Sequence, residues 1–376
     1  MKNKIINWYH SPAYKNFTSS LLSILLGIII GFIIMFISKP NVAFTALGRL
    51  LIGPFNNARG GWIGLGQLFY RATPIIFTGL AVAFAFKTGV FNIGASGQYM
   101  IGLFVAVVIG VMGTSLGSMQ WIIALIAGGI AGALWGSVPG IFRAYFNVNV
   151  VITGIMMNYI AVFFMNGLLN GVLKSRMVNS ANNRTIKVAQ TARTPYFFLD
   201  KIFPNSGADF GIILAIIVVI ALHLILSKTV FGRDLKSVGL NRDAAKYAGV
   251  NEKRAIITSM AISGFLAAIG GALFILAPSV RNLGNQYALE AVVLPAGFDG
   301  IPVALLGHNN PIGVLFATLF ITYIKISNVS IQSLGIAAEM VDVIVSIILY
   351  FSAFSLIVGQ YVSKKLKKHK AEEVEV

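Results

Sequence analysis

The 376-residue chain is 57% hydrophobic and only 11% charged, with a mean hydropathy of +0.82, which excludes an ordinary soluble domain. Its formal net charge of +17 is scattered through loops and one tail rather than on a basic face with stacking aromatics, so we expect no nucleic-acid partner. The chain has no Cys, and its four His are far apart, so we expect it to bind no metal or other cofactor itself. The composition indicates an integral membrane protein in contact with lipid.

Long uncharged apolar runs predict an all-α polytopic membrane protein with about ten transmembrane helices. The runs are Leu21 to Ser38, Ala72 to Phe86, Val90 to Gly113, Trp121 to Phe142, Val150 to Leu173, Phe210 to Ser227, Ala255 to Ala277, Ala291 to Leu306, Pro311 to Ile324 and Val343 to Val358. They are continuous rather than alternating, which favours helices over barrel strands. The second run is short enough for a half-helix, and prolines interrupt the eighth, so we expect discontinuous helices.

The charge distribution predicts one transmembrane domain over residues 19–360. Residues 1–18 form a cytoplasmic or interfacial segment, and residues 361–376 form a charged cytoplasmic tail. Lys and Arg are more numerous on the side of the membrane that carries the amino terminus, which places both termini in the cytoplasm. Residues 174–208 are then an extracellular loop, and residues 228–254 are a cytoplasmic loop.

The predicted cytoplasmic loop contains a short helix with recognisable ends. Asn241 is a suitable N-cap, the helix runs from Arg242 to Ala248, and Gly249 suits the left-handed position after its end. Ala244, Ala245 and Ala248 predict a flat surface of small residues on one side. Because so short a helix is marginal in water, we expect a partner to pack on it.

Polar side chains stand close together in the stretch "FNIGASGQYMIG". Asn92, Ser96 and Gln98 follow Phe91 inside an otherwise apolar run. An unpaired polar group in hydrocarbon costs several kcal/mol, so these side chains face a cavity or a partner. These side chains either contact a polar solute or form hydrogen bonds with backbone groups that a break in the helix leaves unpaired.

Two further runs carry polar groups. Asn158, Asn166 and Asn170 are spaced at i, i+8 and i+12, so they share one face of a helix and either line a polar route or bond neighbouring helices. Phe298 and Asp299 lie in "LPAGFDGIP", where Gly and Pro break the eighth run. Asp299 is either a structural cap or a substrate contact.

Catalytic signatures are missing from the sequence: it has no G-x-x-x-x-G-K-[ST], H-E-x-x-H or G-x-S-x-G motif. We therefore do not expect an enzyme. The stretches "GGIAGALWG" and "SGFLAAIGGAL" instead have small residues at helical spacing, which predicts close packing of helix backbones.

From about Ala72 onward, the chain resembles the permease subunits of ABC importers in the ribose, branched-chain amino acid and nucleoside group. The similarity lies in "FNIGASGQYMIG", "FGRDLKSVGLNRDAAKYAGVN", "SGFLAAIGGAL" and "FDGIPVALLG", and it is greatest to nucleoside and simple-sugar permeases. In this family an acidic residue often stands at the position of Ser96. The resemblance implies a cell-membrane complex of two permeases, two separate ATPase subunits that bind ATP and Mg, and an extracellular substrate-binding lipoprotein. The extended amino-terminal part up to Arg71 implies a heterodimer with a shorter paralogue.

The resemblance also assigns roles to residues. It implies ATPase coupling for Arg233, Asp234, Gly239, Asn241, Ala244, Ala245 and Gly249, and it places Phe91, Asn92, Ser96, Gln98, Asn158, Asn166, Phe298 and Asp299 along the substrate path. A nucleoside is the expected substrate. A simple-sugar permease, a proton-coupled secondary transporter and a membrane-embedded enzyme are the alternatives.

Overall fold

The computed structural model describes residues 12–56, 61–179, 181–278, 285–337, 339–348 and 350–351, and they are mostly helical. In chain order the helices are α1 (Pro12–Ser38), α2 (Pro40–Ile52), α3 (Gly61–Phe86), α4 (Ala95–Met112), α5 (Gln120–Phe146), α6 (Val150–Asn170), α7 (Lys174–Met177), α8 (Leu199–Ile202), α9 (Phe210–Lys228), α10 (Val230–Leu240), α11 (Arg242–Tyr247), α12 (Glu252–Leu276), α13 (Gly300–Leu306), α14 (Pro311–Ile326) and α15 (Asn328–Gln332). Residues 339–348 are helical as well. The chain is an all-α polytopic membrane protein.

The described residues divide into two compact units, one within Met1–Asn56 and Tyr323–Val376 and the other within Asn57–Thr322. In the first unit, α1 packs closely on the helix at 339–348. A Cβ added to Gly27 would lie 2.1 Å from a side-chain carbon of Ile348, and one added to Gly31 would lie 2.3 Å from a side-chain carbon of Ile344. Only glycine therefore allows this approach.

The second unit is built around α12, which packs on α3, α4 and α5. The small-residue stretches lie at these contacts, as the sequence predicted. A Cβ added to Gly264 would lie 2.2 Å from the carbonyl oxygen of Gly132, and one added to Gly271 would lie 2.0 Å from that of Tyr99. Backbone therefore touches backbone on two sides of α12. In lipid, helices associate through close packing rather than through the hydrophobic effect, and glycines at these contacts allow that packing.

Two of the expected spans differ from the structure. The run at Ala72 to Phe86 is not a half-helix, because α3 begins at Gly61 and continues through Pro74 for 26 residues. Its first turns contain Gly, Gln, Tyr and Arg, so they lie outside the uncharged apolar run from which the span was predicted. The run at Ala291 to Leu306 is broken as expected, but it contains only a 3₁₀ turn at Pro295–Gly297 and the seven-residue α13.

Among the described residues, eight helices are long and apolar enough to cross a membrane. The last expected span, Val343 to Val358, is helical to residue 348 and lies mostly outside the described residues. Among the described residues, the Ala291 to Leu306 run is the expected span that does not form one long helix.

The loop at residues 174–208 has structure of its own. Strand β1 (Val178–Asn179) pairs antiparallel with β2 (Arg184–Thr185), and Val178 lies opposite Thr185. Farther on, the Thr194 backbone N–H donates to the Leu276 carbonyl at 3.0 Å. The loop therefore satisfies a carbonyl at the end of the central helix that has no partner within that helix.

Candidate functional site

Asn92, Gln98 and Ser263 form a buried hydrogen-bonded group, which we call the amide cluster. The Asn92 Nδ2 donates to Gln98 Oε1 at 2.8 Å and to Ser263 Oγ at 2.7 Å, while Gln98 Nε2 donates to Asn92 Oδ1 at 3.3 Å. Ser263 in turn donates to the Ala81 carbonyl at 2.6 Å. The cluster thus joins the segment before α4 to both α12 and α3.

Asn158 on α6 satisfies the backbone where the chain passes from α3 to α4. Its Oδ1 accepts a hydrogen bond from the Gly97 N–H at 2.7 Å, and its Nδ2 donates to the Ile93 carbonyl at 3.0 Å. Asn166, two turns farther on, donates to the Glu290 carbonyl at 2.9 Å, whereas Asn170 is exposed. The amides of Asn92, Gln98 and Asn158 are therefore occupied by protein groups, and their contact with a solute stays a prediction.

Residues 285–299, which contain the 3₁₀ turn but no α-helix and which we call the broken segment, lie against the start of α4. Ser96 Oγ donates to the Leu294 carbonyl. A Cβ added to Gly297 would lie 2.2 Å from the Ser96 Cα, so the two backbones touch. This contact explains why Ser96 is small and why Gly297 has no side chain, and it brings together two stretches that are about 200 residues apart.

One side of the broken segment is open in the single chain. Val292 is 60% exposed and Phe298 is 37% exposed, while Asp299 is half-buried. Phe91 is also half-buried, and its ring lies 5.1 Å from that of Phe86, centroid to centroid. Phe298 and Asp299 are thus accessible from this side, whereas Asn92, Ser96 and Gln98 are not.

The short helix predicted in the loop at residues 228–254 is present. Asn241 Oδ1 accepts a hydrogen bond from the Ala244 N–H at 3.0 Å, as an N-cap does, and α11 follows directly. Gly249 has a φ of +83°, the left-handed conformation expected for the residue after the helix. The sequence did not predict α10, which precedes it and is capped by Thr229.

The expected surface of three alanines is wrong in one respect, because Ala245 is only 3% exposed. The helix is packed on α10 and α12, and Ala245 faces inward. Ala244 and Ala248 are exposed, but the largest apolar groups on the outside are Leu240 at 89% exposed and Tyr247 at 94% exposed. Sequence reasoning missed these two residues, although they are large apolar residues just before the N-cap and at the last position of a short capped helix.

The loop also contacts the turn that leads into the site. A Cβ added to Gly239 would lie 2.3 Å from the Lys87 carbonyl oxygen, and Gly89, with φ of +70°, faces the Gly239 Cα. In the same turn Thr88 Oγ1 and Ser259 Oγ are 2.8 Å apart. Burial lowers the pKa of Lys87, and the positive charge of Lys236 lowers it further.

Arg233 and Asp234, which were predicted to couple to the ATPase, lie on α10. Arg233 is exposed, and Asp234 is half-buried.

Comparison with known proteins identifies the family of the chain. The family described as the branched-chain amino acid transport system / permease component matches residues 64–353. The chain belongs to this family. It is 38% identical to the guanosine ABC transporter permease protein NupP of Bacillus subtilis, over 82% of this chain and 87% of that protein.

Other members of the family are also similar. The nucleoside ABC transporter permease protein NupB of Lactococcus lactis is 33% identical over 85% of this chain and 86% of its own length. The glucose ABC transporter permease protein TsgB13 of Haloferax volcanii is 30% identical over 77% and 75%. The same Bacillus and Lactococcus strains have second permeases, NupQ and NupC, that match 66% and 68% of this chain. The chain thus has a transport role as an ABC permease.

Replacing Asn158 with Leu should destabilise the protein, because the Gly97 N–H and the Ile93 carbonyl would lose their partners inside the membrane. Each buried polar group left unsatisfied costs about 1 to 3 kcal/mol. The melting temperature of the purified protein in detergent measures this loss. Asn170→Leu, at an exposed position of the same helix, is the matched control and should melt like the wild type. Equal melting temperatures for the two variants would contradict the structural role of Asn158.

Proposed function

We propose that this chain is one of two membrane-spanning subunits of an ATP-driven importer that carries nucleosides across the cell membrane. The observation that supports this most is the similarity to the guanosine permease NupP over 82% of the chain. The aromatic rings of Phe91 and Phe298, which are half-buried and exposed respectively, agree with this proposal because they suit a solute that has a flat base.

The open side of the broken segment supports a second permease subunit. Non-helical backbone at membrane depth is tolerated only where protein covers it or where it lines a water-filled cavity. Val292 and Phe298 are exposed on this side in the single chain, so this side needs a covering protein surface or a water-filled path. We infer that a shorter paralogue covers this side and that the solute passes between the two subunits.

Two ATPase subunits drive transport in this proposal. The sequence has no motif for binding nucleotide phosphates, so ATP and Mg belong to the partner subunits. Leu240 and Tyr247 are large apolar groups exposed to solvent, and such groups indicate a protein contact. We propose that α11 and these two residues dock on an ATPase in the cytoplasm, where both termini lie as well. An extracellular lipoprotein delivers the solute to the opposite side.

A simple sugar is the second candidate substrate, because the glucose permease TsgB13 is 30% identical to this chain. A proton-coupled carrier is less well supported, since it has no need of the exposed apolar groups beside α11. Uptake of radiolabelled guanosine by vesicles that contain the full complex decides among these functions.

We expect ATP-dependent guanosine uptake that excess unlabelled nucleoside abolishes and excess glucose or ribose leaves unchanged. The reason is that the site would bind base and sugar together. Inhibition by glucose or ribose, without guanosine uptake, would replace the nucleoside with a simple sugar. Uptake driven by a proton gradient in the absence of ATP would contradict the importer.

Replacing both Leu240 and Tyr247 with Ala should weaken docking of the ATPase, because truncating apolar anchors at the centre of an interface costs about 2 kcal/mol or more. Copurification of the ATPase and solute-stimulated ATP hydrolysis measure the effect, and we expect both to fall roughly tenfold or more. Val172→Ala is the matched control, because Val172 is 83% exposed in another loop. Normal docking and hydrolysis by the double variant would show that this surface does not bind the ATPase.

A further inference from the structure

Three cationic residues come together where α5 ends and α12 begins. The two helices are in contact up to this point, since a Cβ added to Gly140 of α5 would lie 3.2 Å from the Cα of Ile257 on α12. Arg143 follows Gly140 by one turn, so it lies on the side of α5 that faces α12. Lys253 and Arg254 are in the first turn of α12. We call these three residues the cationic patch.

A contact between the two helices holds part of the patch in place. The Lys253 ammonium lies over the Tyr145 ring of α5, 4.8 Å from its centroid, where the ring face attracts a positive charge. The Arg143 Nη1 donates to Asn147 Oδ1 at 2.9 Å. Both of these partners are uncharged, so neither contact neutralises the charge of its cation.

Within the described residues, no carboxylate pairs with the patch either. Glu252 is next to Lys253 in the sequence, but its Oε2 lies 3.8 Å from Nε of Arg242, which lies outside the patch. Lys253 and Arg254 are exposed, and Arg143 is half-buried. Like charges held close together repel each other, and a bound anion relieves this repulsion. The patch thus has the charge and the exposure that an anion site requires.

The patch lies at the boundary of the apolar part of both helices. The uncharged run of α5 ends at Phe142, directly before Arg143, and that of α12 begins at Ala255, directly after Arg254. Aromatic side chains at the ends of spanning helices lie at the level of the lipid headgroups. Three such side chains at the end of α5 are exposed: Phe142, Tyr145 and Phe146. An anion that reaches the patch at this depth is the phosphate of a lipid.

We propose that the cationic patch binds the headgroup of an anionic phospholipid. Its phosphate lies beside Arg143 and Lys253, whose N–H groups donate to the phosphate oxygens, and its acyl chains lie along the exposed aromatic side chains of α5. Basic sites between the ends of transmembrane helices bind anionic headgroups in this way. Charges that only orient a membrane protein can be spread through its loops, whereas these meet at one pair of helix ends. The inference goes beyond the proposed function and does not rest on it.

Lipid binding by the purified full-length chain tests this site. Native mass spectrometry measures its affinity for phosphatidylglycerol and for phosphatidylcholine with the same acyl chains, which differ in net charge. We expect the wild type to bind phosphatidylglycerol more tightly. The double variant Arg143→Gln, Lys253→Gln should lose roughly fivefold in this affinity for each charge removed, as for cations near a membrane surface. Its affinity for phosphatidylcholine should be unchanged.

Two control variants accompany this test. The double variant Lys174→Gln, Arg176→Gln removes two exposed cations elsewhere in the chain, so it changes the net charge equally, and it should bind phosphatidylglycerol like the wild type. The double variant Arg143→Lys, Lys253→Arg keeps both charges of the patch and should also keep the binding. The second control separates loss of charge from a local change of structure.

An equal loss of phosphatidylglycerol binding in the two charge-removing variants would overturn the inference, because the lipid would then respond to net charge alone. Failure of the charge-keeping variant to bind would overturn it as well. A variant without the Arg143 and Lys253 charges that binds phosphatidylglycerol normally would also contradict it. If that variant copurified with less ATPase while its lipid binding was normal, the patch would be a surface for protein docking instead.

Discussion

Backbone N–H and C=O groups inside a membrane must all be paired within the protein, and this constraint determines how the site is built. The chain leaves helical structure between α3 and α4 and again in the broken segment, and both places need side chains from distant parts of the sequence. Asn158 satisfies the first, and Ser96 binds a carbonyl of the second. Ser96 and Asn158, which the sequence suggested as solute contacts, thus bond irregular backbone within the protein.

The same packing connects the loop at residues 228–254 with the amide cluster. Gly239 touches the turn at Lys87, Thr88 of this turn lies against Ser259, and Ser263 on the next turn of α12 binds Asn92. These contacts are continuous, so under our proposal that an ATPase docks on α11, a displacement of α10 and α11 would be transmitted to the turn before the site. In this account α12 is the rigid element that both regions share.

Much of this fold follows from the sequence, because uncharged apolar runs and helix-capping residues are local signals. Asn241 and Gly249 predicted the two ends of α11, and the small-residue stretches of α5 and α12 predicted that these helices pack closely. The inward orientation of Ala245 depends on where α10 lies, and no local pattern records it. The hydrogen bond between Asn92 and Ser263 likewise could not be predicted from local sequence, since the two residues are 171 positions apart.

The central claim is that the open side of the broken segment lines the path of a nucleoside, and the accessibility of a cysteine there tests it most directly. The chain has no native Cys, so Phe298→Cys gives a single thiol once any cysteines of the partner subunits have been replaced. The account predicts that a small water-soluble thiol reagent modifies it and that guanosine slows the reaction, whereas Asn182→Cys in an exposed loop reacts without protection. A thiol at position 298 that does not react, or that reacts at the same rate with guanosine present, would contradict it.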